Sequence, residues 1–224
     1  MKLARLGLWE DDSLRPAAEN MAWDEALATI AGQPVLRTYR WDHPAATFGY
    51  FCRHRELAAH LGDTDATRRL TGGGLVEHGS DLTLTMALPR AGGWRRITSS
   101  DLYCLLHRAL ADSLAARGQP CELQPGGGQS RAGGACFASP VAADLMLAGR
   151  KVGGGAIRRT RDFILYQGSL REPAASALDA THLASLLCGT NARVARFTPS
   201  ADCTARAGKL ALERYSRDAW IQSR

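Results

Sequence analysis

The chain has 224 residues, 45% hydrophobic and 22% charged, with 28 Lys and Arg against 22 Asp and Glu and a formal charge of +6. This is the balance of a globular protein that can bury one substantial core. No apolar run approaches the roughly 20 residues that cross a bilayer, and residues 1–10 lack the apolar stretch of a signal peptide, so no membrane is expected and the cytoplasm is the expected compartment.

The basic surface suits an acidic partner. Nucleic acid is not expected, because the chain has no zinc-finger spacing, basic helix or aromatic RNA-binding motif. Six cysteines stand at 52, 104, 121, 136, 188 and 203 without a C-x-x-C pair. No His/Cys cluster has metal spacing, so reduced thiols and no metal site are expected.

Along the chain, Trp23, Ala26, Leu27 and Ile30 recur at helical spacing over residues 20–30, and Gly32 with Pro34 stops that helix. Residues 35–39 and 45–50 alternate like neighbouring strands, and residues 55–61 form a short helix ending at Gly62. Then comes Arg68-Arg69-Leu70-Thr71-Gly72-Gly73-Gly74-Leu75-Val76-Glu77-His78, flanked by strands, the second alternating over residues 81–86. Consecutive glycines let backbone N–H groups approach a ligand, and guanidinium groups beside them can fork onto a phosphate or carboxylate. A glycine turn with surface arginines is the plain alternative. His78 can serve as a hydrogen-bond donor to a developing oxyanion or as a structural partner.

A long helix capped by Ser99 or Ser100 presents Leu102, Leu105, Leu106, Ala109 and Leu110, and Gly118 and Pro120 end it. Residues 125–134, rich in glycine, read as a mobile loop. A hairpin follows, residues 144–148 and 151 onward, turning at Gly149-Arg150; residues 163–167 are a further strand, and residues 178–187 and 210–221 are helical. Hairpin-like pairs outnumber βαβ units, which predicts an α+β fold with a mainly antiparallel sheet flanked by helices. One domain over residues 1–224 is expected, with a short helical tail from about 173.

Two further groups carry chemistry. In Lys151-Val152-Gly153-Gly154-Gly155-Ala156, an ammonium precedes bare backbone, where it can polarise a carbonyl or contact a phosphate; a bulged strand edge is the alternative. Cys136, where the glycine-rich segment ends, can be a nucleophile if neighbouring cations lower its pKa, or a small packing residue.

Taken together, these motifs resemble the biotin/lipoate ligase and octanoyltransferase family over residues 18–172, in order. Asn20-Met21-Ala22-Trp23-Asp24-Glu25-Ala26-Leu27 resembles its opening helix, and Leu36-Arg37-Thr38-Tyr39 with Thr47-Phe48-Gly49-Tyr50 the strand pair after it. Arg68 to Gly74 with His78 resembles its acyl- and adenylate-binding loop, Gly149-Arg150-Lys151-Val152-Gly153-Gly154-Gly155-Ala156 its lysine loop, and Tyr166-Gln167-Gly168-Ser169-Leu170 the next strand. The resemblance implies a catalytic fold like that of biotin protein ligases. It also implies transfer of an octanoyl or lipoyl group to a lysine of a lipoyl domain or glycine-cleavage H protein. In the transferase branch, acyl carrier protein is the donor, Cys136 the nucleophile and Lys151 its carbonyl-polarising partner, with no cofactor. Arg68, Arg69, Thr71, Gly72, Gly73, Gly74, His78, Gly153, Gly154, Gly155 and Ala156 would bind substrate. In the ligase branch, ATP and Mg would form a lipoyl-adenylate in the same pocket; a non-catalytic acyl- or carrier-binding module is a third reading. Cys136-Phe137, Pro140, Asp144 and Gly149-Arg150-Lys151-Val152 fit the transferase pattern. Two positions depart from the family: Gly79 replaces its aspartate, and Ile157 replaces an amide, removing a hydrogen-bonding group expected near the substrate.

Overall fold

The structure, a computed structural model, describes residues 2–90, 94, 96–126 and 140–223. Its main sheet takes in β1 (Leu3–Arg15), β2 (Val35–Trp41), β6 (Leu82–Pro89), β7 (Glu122–Leu123), β8 (Leu145–Leu147), β9 (Arg150–Arg159), β10 (Phe163–Leu170) and β11 (Cys188–Arg196), in the order β11-β1-β2-β6-β10-β9-β8-β7. β1 pairs in parallel with β11 and β2, and every other neighbour in this sheet is antiparallel. A second sheet, ordered β4-β3-β5, is made by β3 (Ala45–Phe48), β4 (Asp65–Arg68) and β5 (Leu75–His78).

Strand alternation assigns the two faces of the main sheet. Leu84, Met86 and Leu88 of β6, with Ile164, Tyr166 and Leu170 of β10, form one core with α3 (Ser99–Ala115), the short α4 (Ala174–Ala177) and α5 (Ala180–Leu187). The opposite face takes α1 (Ala17–Ile30), with α6 (Ala201–Leu210) outside it; Met21, Leu27, Val35, Tyr39, Ala87, Cys203 and Leu210 form that core. Phe48, Leu57, Leu61 and Leu75 join α2 (His54–Leu61) to the small sheet.

The mixed, mainly antiparallel architecture is the one the hairpin pattern implies. The cap of α3 is Thr98, whose hydroxyl accepts from the Asp101 N–H, rather than either serine. Ala148 and Gly149, both at positive φ, make the tight turn between β8 and β9. β1 and β11 have no counterpart in the sequence reading, and the second interrupts the stretch read as a helical tail. Both strands belong to the parallel edge, where pairing joins residues 3–8 to 188–196 and no local turn announces it.

Candidate acyl-binding site

A narrow cavity of about 30 Å³ lies between the small sheet and the α1-facing side of β9 and β10. Gln167 and Ser169 point into it, opposite Ala156 and Gly154 in the ladder. Met21 of α1, Tyr39 of β2 and Val76 of β5 supply apolar wall.

The glycine loop, residues 71–74, joins β4 to β5 and is held from both ends. A side chain at Gly49 would overlap the Gly73 carbonyl oxygen, and Gly73 has a φ of +86°, so two glycines let the neighbouring loops pack backbone to backbone. The Tyr50 N–H donates to the Thr71 carbonyl at 2.8 Å. Arg69 closes the loop from within: its guanidinium donates to the carbonyls of Gly72 (2.9 Å) and Gly74 (2.7 Å) and to that of Thr47 (2.9 Å). Arg68 lies apart from the cavity lining. Its buried guanidinium stacks over Phe48 and donates to the carbonyls of Tyr50, Cys52, Trp220 and Ile221. One arginine thus braces the cavity wall, and the other ties the loop after β3 to the end of the chain.

Beneath the cavity runs a buried polar chain. The Thr71 hydroxyl donates to Gln167 Oε1 at 2.7 Å, and Gln167 Nε2 donates to Asp24 at 2.7 Å. Asp24 also accepts from the Tyr39 hydroxyl (2.9 Å) and from Arg37 (2.9 Å), whose guanidinium spans to Asp11 and Asn20. Burial and the facing Asp24 carboxylate hold the Tyr39 hydroxyl well above its ordinary pKa, so it remains a donor. Every charge here is paired, which is the condition for burying it. Glu25, the next residue, accepts instead from Arg214 and Tyr215 of the C-terminal segment.

His78 lines the cavity, stacked 3.9 Å over Trp41. Its Nδ1 meets Asp81 at 2.9 Å and its Nε2 meets Thr47 Oγ1 at 2.9 Å, while Thr47 Oγ1 accepts from Arg69 at 3.1 Å. Burial pushes the imidazole below its ordinary pKa, against the pull of Asp81. Burial works to raise Asp81, yet the hydrogen bonds from His78, Ser169 and Gly79 outweigh it and its carboxyl sits low. The network therefore assigns a neutral ring with Nδ1–H donating to Asp81 and Nε2 accepting from Thr47. In this state both ring nitrogens are engaged in bracing the wall. Gly79, where the resemblance implies an aspartate, donates its N–H to Asp81 at 3.0 Å; the acid that pairs with the histidine stands two residues later.

Lys151 of β9 stands beside the cavity rather than in its lining. Residue 152 is an extra residue opposite Leu145 and Met146, a bulge. The ammonium lies 2.7 Å from Asp144 Oδ2, both side chains being buried. A Cβ on Gly154 would sit 2.7 Å from Nζ, so the lysine head rests on the backbone that lines the cavity. Gly153 faces the other way, where a Cβ would meet Leu145 and Leu170. Ile157 also packs with the core under α3, so the amide missing there leaves no gap in the cavity wall; the amide that points in is that of Gln167. Among the expected site residues, Arg69, His78, Gly154, Gly155 and Ala156 share the cavity, and Thr71 reaches it through Gln167. Cys136 and most of the glycine-rich segment, residues 127–139, lie outside the described residues. The sequence reading missed Met21, Tyr39, Thr47, Val76, Thr83, Gln167, Gly168 and Ser169 as lining residues. Alternation along β10 was the available signal for Gln167 and Ser169. Among the described residues no cluster of three or more His, Cys, Asp or Glu could hold a metal.

Residues 16–211 match the model of the lipoyl protein ligase A/B catalytic domain. Octanoyltransferase LipM of Symbiobacterium thermophilum is 34% identical over 177 residues, 71% of this chain and 63% of that protein. LipM of Carboxydothermus hydrogenoformans is 34% identical over 166 residues, 68% and 60% of the respective chains. The chain thus spans under two thirds of the length of these curated relatives. The bi-partite lipoate protein ligase of Thermoplasma acidophilum superposes with a TM-score of 0.70 at 17% identity, covering 98% of this chain and 97% of that one, a likeness of fold. With a family match running from the start of α1 through the end of α6, the chain belongs to the lipoyl protein ligase A/B catalytic domain family.

Proposed function

We propose that this protein is an acyltransferase of lipoate assembly, moving an octanoyl or lipoyl group through a thioester on Cys136 to the ε-amine of a lysine on a lipoyl domain or glycine-cleavage H protein. The observation that carries this reading is the apolar cavity with a buried lysine ammonium seated on its Gly154 edge. Resemblance to the LipM octanoyltransferases supports the choice of reaction.

In this reading the acyl chain lies against Met21, Tyr39 and Val76. The Cys136 thiolate attacks the acyl carbonyl of the donor thioester, and the Lys151 ammonium donates to the carbonyl oxygen as it gains negative charge. Collapse expels the donor thiol, which takes up a proton. The acceptor amine then attacks the Cys136 thioester, the C–S bond breaks, the nitrogen gives up a proton that the departing Cys136 thiolate takes up, and an amide forms. Acyl carrier protein is the proposed donor, and the +6 charge favours such an acidic partner. We place the reaction in the cytoplasm and assign it to one catalytic unit over residues 1–224, without a cofactor.

The test is intact-mass measurement after incubation with octanoyl-acyl carrier protein. A thioester adduct on the wild type that Cys136→Ser abolishes supports the reading. No adduct, with lipoate-dependent ATP–pyrophosphate exchange, would replace it by an ATP- and Mg-dependent ligase. Silence in both assays with octanoate still bound would leave a binding module.

A further inference from the structure

Asp144 has no role in the chemistry above, yet both of its carboxylate oxygens are engaged. It is fully buried. Oδ2 accepts from the Lys151 ammonium at 2.7 Å and from the Val141 N–H at 2.7 Å, and Oδ1 accepts from the Tyr103 hydroxyl. The same hydroxyl oxygen accepts from the Gly155 N–H at 2.9 Å. Tyr103 is itself fixed, its ring stacked 3.9 Å from that of His107.

These contacts form a closed circuit. The Gly154–Gly155 backbone lines the cavity and supports the lysine head. The Gly155 N–H is tied through Tyr103 to Asp144, and Asp144 holds the lysine. A four-carbon stem has many rotamers, and a buried ammonium without a partner would be costly. A carboxylate anchored by two other donors removes both problems, leaving the ammonium one location.

We propose that Asp144 is a positioning residue for acyl transfer, holding the Lys151 ammonium on Gly154 at the cavity edge, with Tyr103 locking the carboxylate to the same strand. This inference rests on the reading of Lys151 as the carbonyl-polarising group. A residue that acts through another loses its effect when that other is absent.

The experiment is a double-mutant cycle on single-turnover thioester formation from octanoyl-acyl carrier protein, using wild type, Asp144→Asn, Lys151→Ala and the double variant. Asp144→Asn is expected to slow the wild type about 30- to 100-fold, with KM for the donor changed by no more than about 2-fold, and to slow Lys151→Ala no further. Equal losses in both backgrounds would make Asp144 a structural residue and overturn the proposal. If Asp144→Asn does not fold, Tyr103→Phe takes its place in the same cycle, with the same non-additivity expected and about a 10-fold loss. If Lys151→Ala is too slow to time, acetic anhydride labelling decides. Lys151 is one of only three lysines, and its labelling relative to Lys2 is expected to rise about 10-fold in the variant as the ammonium leaves its buried seat; unchanged labelling overturns the proposal. Absence of any adduct on the wild type is a separate result: it removes the transferase reading, and this inference with it.

Discussion

Replacing Gly154 by alanine should damage the chemistry while sparing the fold. The new Cβ would lie 2.7 Å from Lys151 Nζ and 3.1 Å from Asp144 Oδ1. To reach ordinary contact at 3.4–4 Å, the ammonium must retreat by about 1 Å. Asp144 cannot follow it, because the Val141 N–H and the Tyr103 hydroxyl hold the carboxylate. The ion pair, 2.7 Å long now, would open past hydrogen-bonding distance. Misplacing a catalytic group by about 1 Å costs on the order of 100-fold in rate. Residue 154 has no positive φ, so alanine meets no backbone penalty; the stability loss comes from the opened buried ion pair, about 3 kcal/mol, and should lower the melting temperature by roughly 6–12 °C with the chain still folded. The assay is single-turnover thioester formation followed by intact mass, with Gly208→Ala on α6, where a Cβ meets nothing within 4 Å, as the unaffected control. A Gly154→Ala protein that forms the thioester within about 3-fold of the wild-type rate would refute the placement of the ammonium.

Two further outcomes follow from the geometry. Burial pushes His107 down to about 4 from the ordinary 6.5, so the unfolded chain binds this proton more readily than the folded one. Stability from this group is intact above pH 6.5 and lost as pH falls toward 4, by about 3 kcal/mol at 1.36 kcal/mol per unit; urea midpoints across that window should slope in the wild type and flatten in His107→Gln, and equal slopes would contradict the assignment. Deleting residues 217–224 removes the Trp220 and Ile221 carbonyls that accept from Arg68, and the Trp220 indole that donates to the Arg68 carbonyl. With charge-assisted bonds worth about 1.5–3 kcal/mol each, stability to urea should fall by about 3 kcal/mol, and an unchanged midpoint would show that the C-terminal turn does not hold β4.

Much of this protein is determined locally. The β8–β9 hairpin, whose turn falls at Ala148-Gly149, one residue before the expected Gly149-Arg150, the apolar face of α3 and the alternation of β6 and β10 need only neighbouring residues to be recognised, because hairpin geometry and helical period are short-range properties. The order of the glycine and lysine motifs was enough to carry the family resemblance. Adjacent residues with similar chemistry were another matter. Arg68 and Arg69 are indistinguishable as letters, and so are Asp24 and Glu25 as acids. In the fold Arg69 braces the cavity wall while Arg68 reaches the end of the chain, and Asp24 faces Gln167 while Glu25 meets Arg214. Their partners stand up to 190 residues away, and which partner each meets depends on which side of a strand or helix it occupies. The same applies to the two departures from the family pattern. Whether Gly79 and Ile157 remove anything from the site depended on Asp81 reaching back to the histidine and on position 157 facing the core. The sequence by itself thus determined the fold class, the elements with a local pattern and the chemical groups available, but not β1 and β11, whose pairing is long-range. Only the tertiary structure decided which groups share a cavity and which are spent on holding its walls, since burial and long-range pairing are properties of the assembled chain.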